Sequence, residues 1–326
     1  MKLFDLHCDT VSECLRQGIP LRDGAQHINL CKGECLDAWA QCFAIWVSDE
    51  LRGEAALDYS LRVAEHFARE AAENAEKIKL CKTSAQVLAA FGRGQCAAIL
   101  TLEGASPLAA PGGLDRLDAL GVKLVTLTWN DENEFGFGCQ SGREDGLKPA
   151  GKTLLRALAA RGIVADVSHL NRAGFYDALE SEAAVIASHS NCEQVLRATR
   201  APGEDRFFSC RRSLNDDQIR ALIDRGGLIG LNFCRSFLGD PGDDGPEAVL
   251  RHAAHILELG GENALAIGSD FDGCEIHPDL AGVDRMPALR AYLAAHGLDA
   301  ALLDRIFFEN AAKFFKNVLQ DEKSMI

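Results

Sequence analysis

Five short apolar runs in this sequence each lead to a residue able to bind a metal ion or carry a proton. His7 and Asp9 stand in Asp5-Leu6-His7-Cys8-Asp9-Thr10. Glu103 follows Ala98-Ile99-Leu100-Thr101-Leu102, and His169 follows Val164-Ala165-Asp166-Val167-Ser168. His189 follows Val185-Ile186-Ala187-Ser188, and Asp270 follows Leu265-Ala266-Ile267-Gly268-Ser269. Imidazole and carboxylate are the ligand set of zinc and related divalent ions. Three histidines with three carboxylates exceed what one ion needs and suffice for two. The economical arrangement puts His7 and Asp9 on one ion and His169 and His189 on the other, with Glu103 bridging ions about 3.5–4 Å apart. Two cations sharing a water give a hydroxide-like nucleophile near neutral pH and polarise the carbonyl it attacks. Asp270 is then placed to shuttle the proton to a leaving amine.

Taken singly, each of these residues has an ordinary reading. A His-x-Asp occurs by chance, Glu103 before Gly104 suits a loop or a cap, and Asp270 in Ser-Asp-Phe-Asp-Gly could begin a turn. Their shared position, each at the end of a candidate strand, distinguishes them. The candidate strands are residues 3–7, 42–47, 97–102, 124–127, 163–167, 185–187, 228–231 and 264–267, with amphipathic helical stretches between them, among them 59–75, 152–161, 215–224, 288–296 and 299–308. Alternating strand and helix predicts α/β architecture with a parallel sheet, and eight strands predict a (β/α)₈ TIM barrel whose active site lies on the loops after the strands. If the first strand runs on through Asp9, His7 and Asp9 share a face and Cys8 points away. Two irregular stretches, 130–148 and 236–246, each follow a strand closely and are where substrate contacts are expected. No Pro/Gly/Ser-rich linker divides the chain, so one domain over 1–326 is expected, with a peripheral tail at about 318–326.

Other reactive residues receive plainer readings. His252 and His255 lie at i and i+3 on an apparent helix, where satisfied or solvated imidazoles are the expectation. Cys31 and Cys35 lack a second pair for a zinc site. Trp39 and Trp46 read as core or pocket wall. With 48 acidic against 34 basic residues the net charge is −14, a field that repels nucleic acid and anionic membrane, so neither is an expected partner. No apolar stretch approaches the roughly 20 residues of a membrane span. Twelve cysteines without a basic-then-apolar leader at MKLFDLHCDT predict a cytoplasmic protein with reduced thiols.

Six motifs in order carry a resemblance. Asp-Leu-His-Cys-Asp-Thr at 5–10, Leu-Glu-Gly at 102–104, Leu-Thr-Trp-Asn at 127–130, Asp-Val-Ser-His at 166–169, Ser-His-Ser at 188–190 and Gly-Ser-Asp-Phe-Asp-Gly at 268–273 together resemble the membrane dipeptidase (renal dipeptidase) family, peptidase family M19, of the amidohydrolase superfamily. The resemblance implies a (β/α)₈ barrel and a binuclear zinc dipeptidase, other divalent metals being conceivable, often accepting a D-residue at the C-terminal position. It implies the same roles for His7, Asp9, Glu103, His169, His189 and Asp270, and it suggests a homodimer. It also implies an arginine for the substrate carboxylate: Arg212, in Arg-Arg-Ser-Leu-Asn-Asp-Asp, fits that segment better than Arg200 does. A planar guanidinium suits bidentate carboxylate recognition.

Two positions depart from the family. Trp129 stands where the animal enzymes carry a histidine thought to stabilise the oxyanion, and losing such a donor can cost about 10²–10³ in kcat. Cys234 follows Asn232-Phe233 where the family has tyrosine. The expectation is therefore a metal-dependent enzyme that hydrolyses the amide bond of a small dipeptide. Its rivals are another amide or lactone hydrolase on the same scaffold, such as an N-acyl amino acid deacylase, and a non-catalytic metal- or peptide-binding barrel.

Overall fold

Strand assembly begins from runs apolar on both faces, which can be stable only with side chains packed on each side of the sheet. In the computed structural model, which describes residues 1–319, these runs become β1 (Lys2–Asp5), β2 (Ala38–Trp46), β3 (Ile78–Leu80), β4 (Cys96–Glu103), β5 (Val122–Thr126), β6 (Val164–Asp166), β7 (Val185–Ile186), β8 (Ile229–Leu231) and β9 (Leu265–Ile267). All pair in parallel, in the order β7-β6-β5-β4-β2-β1-β9-β8. A single bridge, Ala187 to Ile229, joins β7 to β8, so eight strands form a nearly closed (β/α)₈ barrel.

The ninth strand, β3, is the one the sequence reading lacks. It pairs with β4 at Cys96–Ala98, below the point where β5 takes over at Leu100–Glu103. Alternate strand residues, among them Phe4, Cys42, Ile99, Leu124, Val164 and Ile186, form with Leu6 just past β1 one buried cluster closed by Phe315 and Leu319 of the C-terminal segment. The intervening positions pack with the surrounding helices. Two expected helices are seen closely: Asp216–Asp224 starts from an Asn215–Gln218 capping box, and Met286–Ala295 stands where 288–296 was expected. Among the described residues no helix is long and apolar enough to cross a membrane. The expected peripheral tail beyond residue 319 lies outside the described residues.

One expectation is corrected. β1 stops at Asp5, so His7 and Asp9 do not share a continuous strand; Asp9 is the N-cap residue of a helix, Thr10–Gln17. A Cys8–Phe271 bridge ties the intervening turn to the loop after β9. The expected orientation of Cys8 holds nonetheless: it is fully buried and its thiol donates to the carbonyl of Cys42.

Candidate metal centre and active site

The last residue of β4 and the loops after β1, β6, β7 and β9 bring Glu103, His7, Asp9, His169, His189 and Asp270 together at one end of the barrel. Glu103 is central. Its Oε2 lies 3.4 Å from His7 Nε2, while its Oε1 lies 2.9 Å from His169 Nε2 and 3.4 Å from His189 Nε2. His7 Nε2 also stands 3.4 Å from Asp9 Oδ2 and 3.8 Å from Asp270 Oδ1, and its ring stacks on that of His189 at 3.8 Å.

Two buried aspartates set these positions. On β6, Asp166 Oδ1 accepts from the amides of Ser168 and Ser188, and Oδ2 accepts from the hydroxyls of Thr126 and Ser188. On β1, Asp5 Oδ1 accepts from the amides of His7 and Ser269, and Oδ2 accepts from Gln41 Nε2 and the Ser269 hydroxyl. Each carboxylate thus clamps its own post-strand turn to the turn of the neighbouring strand. Burial raises the pKa of Asp5 against the pull of these hydrogen bonds.

The rings are fixed in turn. His169 Nδ1 donates to Asn130 Oδ1 at 2.9 Å. The Ser188 hydroxyl, already donating to Asp166, accepts from His189 Nδ1 at 2.7 Å. Both histidines therefore turn an Nε2 lone pair inward, and those two atoms lie 3.0 Å apart beside Glu103 Oε1. Two lone pairs and a carboxylate oxygen in contact repel one another unless a cation lies between them. On the other side, His7 Nδ1 and Nε2 and Asp9 Oδ1 are buried with no hydrogen-bond partner among the described residues. Buried polar atoms left this way cost about 1–3 kcal/mol each. The residues present thus fit metal ions; His7, Glu103 and His189, and separately His7, Asp9 and Asp270, bring ligand atoms within 4.8 Å of one another.

Electrostatics agrees. Burial opposes charge on His7, but Glu103 and Asp9 hold its pKa well above the ordinary imidazole range. Burial and the nearby Glu103 charge push Asp9 well up. Burial would raise Glu103 too, yet the surrounding imidazoles hold it well down. Burial lowers His169 and lowers His189 further, with the Arg212 charge adding to both. Strain is concentrated here as well: the described residues with left-handed backbone that are not glycine are His169 (φ 68°), Asp270 (φ 61°) and Asp272 (φ 67°). Such conformations cost roughly 1–3 kcal/mol and persist where surrounding contacts over-determine them.

A cavity of about 470 Å³ opens onto the cluster, lined by Asp9, Glu103, His169 and Asp270 and walled by Trp46, Trp129, Phe208 and Phe237. Trp129 meets Trp46 edge-on at 5.1 Å. The two arginines expected at the substrate are not brought to this cavity. Arg212 is buried behind the site, donating to Ser190 Oγ and the His189 carbonyl. Arg200 donates to Ser209 and the Ser236 carbonyl and pairs with Asp240. His252, fully buried, accepts from the Cys192 amide and faces the Leu238 carbonyl, while His255 pairs with Asp216, so neither joins a metal cluster among the described residues.

Sequence reasoning missed four supporting residues besides Asp5 and Asp166. Asn130 and Ser188 orient imidazoles, and Asn232 Nδ2 donates to Asp270 Oδ2 at 2.9 Å. Gly273 is required for close approach, since a Cβ there would lie 2.1 Å from Asp9 Oδ2 and 2.6 Å from Asp270 Oδ1. All but Asn232 sit inside the six motifs, and all of those but Asn130 lie one to three residues from a proposed ligand or from Asp270, which was the available signal.

Comparison with known proteins is consistent with this geometry. The profile of the membrane dipeptidase family (peptidase family M19) matches residues 1–325. An uncharacterized protein from the pqqA 5′ region of Klebsiella pneumoniae is 32% identical over 261 residues, 76% of this chain and 92% of that one. A metallopeptidase from Rhodobacter sphaeroides, crystallised with a phosphinate mimic of the dipeptide L-Ala-D-Ala, is 29% identical with a TM-score of 0.85, covering 98% of this chain and 99% of the other. Dipeptidase AC, a metallopeptidase of family M19, is 30% identical with a TM-score of 0.86 over the same shares.

Proposed function

This chain belongs to the membrane dipeptidase family and is a metallo-dipeptidase, and we propose that it hydrolyses dipeptides, including those with a C-terminal D-residue, with two zinc ions. The observation that carries the two-ion reading is the division of Glu103, one oxygen toward His7 and the other toward His169 and His189. His7 and Asp9 would hold one ion, His169 and His189 the other, with Glu103 shared. When bound, the pair supplies Lewis-acid polarisation and a nucleophilic water near neutral pH.

The chain's own residues do the rest. Asn232 holds Asp270 by Oδ2, leaving Oδ1 on the His7 side, 3.8 Å from Nε2. From there Asp270 takes a proton from the attacking water and returns it to the departing amine, so that a neutral amine leaves. Trp46, Trp129, Phe208 and Phe237 pack the dipeptide side chains and exclude bulk water, which strengthens every charge interaction inside. Burial, with the charge of Arg212 beside His189 adding to it, keeps both imidazoles neutral and available as ligands. The L-Ala-D-Ala mimic in the Rhodobacter relative supports a D-residue at the C-terminal position.

The test is metal content per chain together with turnover of a dipeptide panel that includes L-D pairs, run beside N-acyl amino acids. Two zinc ions and dipeptide turnover are expected. Turnover of N-acyl amino acids alone, with metal present, would transfer the assignment to a deacylase.

A further inference from the structure

Asp270 has neighbours on its other side that the hydrolytic reading does not use. Cys234 follows β8 and Cys274 lies four residues past Asp270; the two sulfurs and an Asp270 oxygen come within 4.8 Å of one another. Cys234 is buried, Cys274 half-buried, and both face the cavity. The backbone keeps them together. Residue 234 bridges antiparallel to Ile276, and the Arg235 amide donates to the Glu275 carbonyl at 3.0 Å, so the turn carrying Cys274 is strapped against the segment carrying Cys234. Ser236 Oγ lies 3.2 Å from the Cys234 sulfur, and the Cys274 thiol lies 3.5 Å from the Asp270 carbonyl.

This donor set differs in kind from that of the histidine cluster. Two sulfurs and a carboxylate form a soft site suited to Zn²⁺ or Cd²⁺. In a tetrahedral site with Zn–S bonds of about 2.3 Å, neighbouring ligand atoms are roughly 3.8 Å apart, so the observed spacing closes with a shift of about an ångström. We propose that Cys234, Asp270 and Cys274 form a further cation site, separate from the histidine centre, which takes a soft divalent ion and in doing so stops turnover. The ion displaces the thiol protons to solvent and draws the Asp270 carboxylate away from His7. A carboxylate ligated there no longer moves a proton between water and amine. Binding at this site follows from the cysteine geometry alone; inhibition also rests on the role proposed for Asp270.

The experiment titrates the zinc-loaded protein with Cd²⁺, following the ultraviolet thiolate-to-cadmium charge-transfer band and dipeptide turnover together. The exposed Cys31 and Cys35 are first changed to serine, which leaves turnover unaltered. Expected is a band that saturates at one added equivalent, with turnover lost in parallel and restored by a mild chelator. In Cys274→Ser the band is lost and the cadmium concentration for half-inhibition, read against that variant's own turnover without cadmium, rises by about tenfold or more. A band and inhibition unchanged in both Cys274→Ser and Cys234→Ser overturn the proposal. A thiolate band that forms while turnover is untouched overturns the inhibitory half and, if Asp270→Asn is also active, removes Asp270 from its catalytic role.

Discussion

The two halves of the metal centre are built by the same device and finished differently. On β6 and β7, Asp166 holds Ser168 and Ser188; on β1 and β9, Asp5 holds His7 and Ser269 through the corresponding carboxylate oxygens. In the first half the serine hydroxyl continues to an imidazole, His189 Nδ1, and Asn130 fixes the other ring. In the second, the Ser269 hydroxyl reaches backbone rather than a ring, the His7 carbonyl and the Phe271 amide, and both His7 nitrogens lack a hydrogen bond. A ligand whose second nitrogen is already bonded has its tautomer set before metal arrives. The β6–β7 half is thus organised by the protein, whereas the β1 half depends on the ion and on the stack of His7 against His189.

The largest effect expected from breaking this arrangement lies at Asp270, which belongs to the ion-dependent half without being counted among the ligands of either ion. Asp270→Asn keeps the Asn232 contact available and should leave two metal ions bound, while kcat falls by about 10²–10⁴, the range of general acid–base catalysis. Metal analysis beside steady-state kinetics checks this. Loss of metal together with activity would make Asp270 a ligand, as its grouping with His7 and Asp9 allows.

The clamping aspartates sharpen the comparison at a smaller scale. Asp166→Asn places an amide against the hydroxyls of Thr126 and Ser188, and the disturbance passes from Ser188 into His189. Metal affinity should fall by about 10–100-fold, the usual cost of losing a supporting contact behind a ligand. Asp5→Asn disturbs Ser269, which touches backbone rather than a ring, and should fall at or below the low end of that range. Competition with a chelating dye ranks the two, and equal losses would show that backbone placement, not ring orientation, is what the clamps provide.

Removing the metals tests the asymmetry directly. Chelation should lower thermal stability by several degrees, since a ligand at about 100 times its Kd contributes about 2.7 kcal/mol. Hydrogen exchange should accelerate around His7–Thr10 and the loop after β9 more than around Ser168 and Ser188. Uniform acceleration across both halves would erase the distinction.

Much of this centre is legible in the sequence because its ligands interrupt otherwise apolar runs, and a charge at the end of such a run has few structural uses. The pairing of His7 with Asp9 was reached through strand alternation, yet β1 ends at Asp5 and a helix N-cap residue delivers Asp9. The helix Thr10–Gln17 was not legible, since TVSECLRQ mixes polar and β-branched residues within two turns. β3 is three residues, Ile-Lys-Leu, too short for any period. Asp5 and Asp166 escaped because their partners come from neighbouring strands, a relation no local pattern encodes. The arginines are less legible: Arg212 occupies the expected segment, where its two Nη atoms donate to Ser190 and the His189 carbonyl while its buried Nε has no partner among the described residues.

A histidine outside the centre supplies the smallest effect and the control for the rest. His252 is as buried as His189, but it accepts a hydrogen bond from the Cys192 amide and touches no carboxylate cluster. Burial lowers its pKa to about 3. Below the ordinary imidazole value the unfolded chain binds a proton that the folded chain refuses, so stability declines as pH falls from about 6.5 toward 3, by up to roughly 1.4 kcal/mol per unit. Between pH 6.5 and 5 the decline from this residue is about 1.6 kcal/mol. Urea unfolding of the metal-free protein at several pH values measures the slope, and His252→Gln should flatten it by close to one proton. His7, held above the ordinary range by Glu103 and Asp9, works in the opposite sense: its contribution is complete below about 6.5 and is lost as pH rises through its folded value. A slope unchanged in His252→Gln would mean that the acid sensitivity originates in the metal centre, and that His252 is not held neutral.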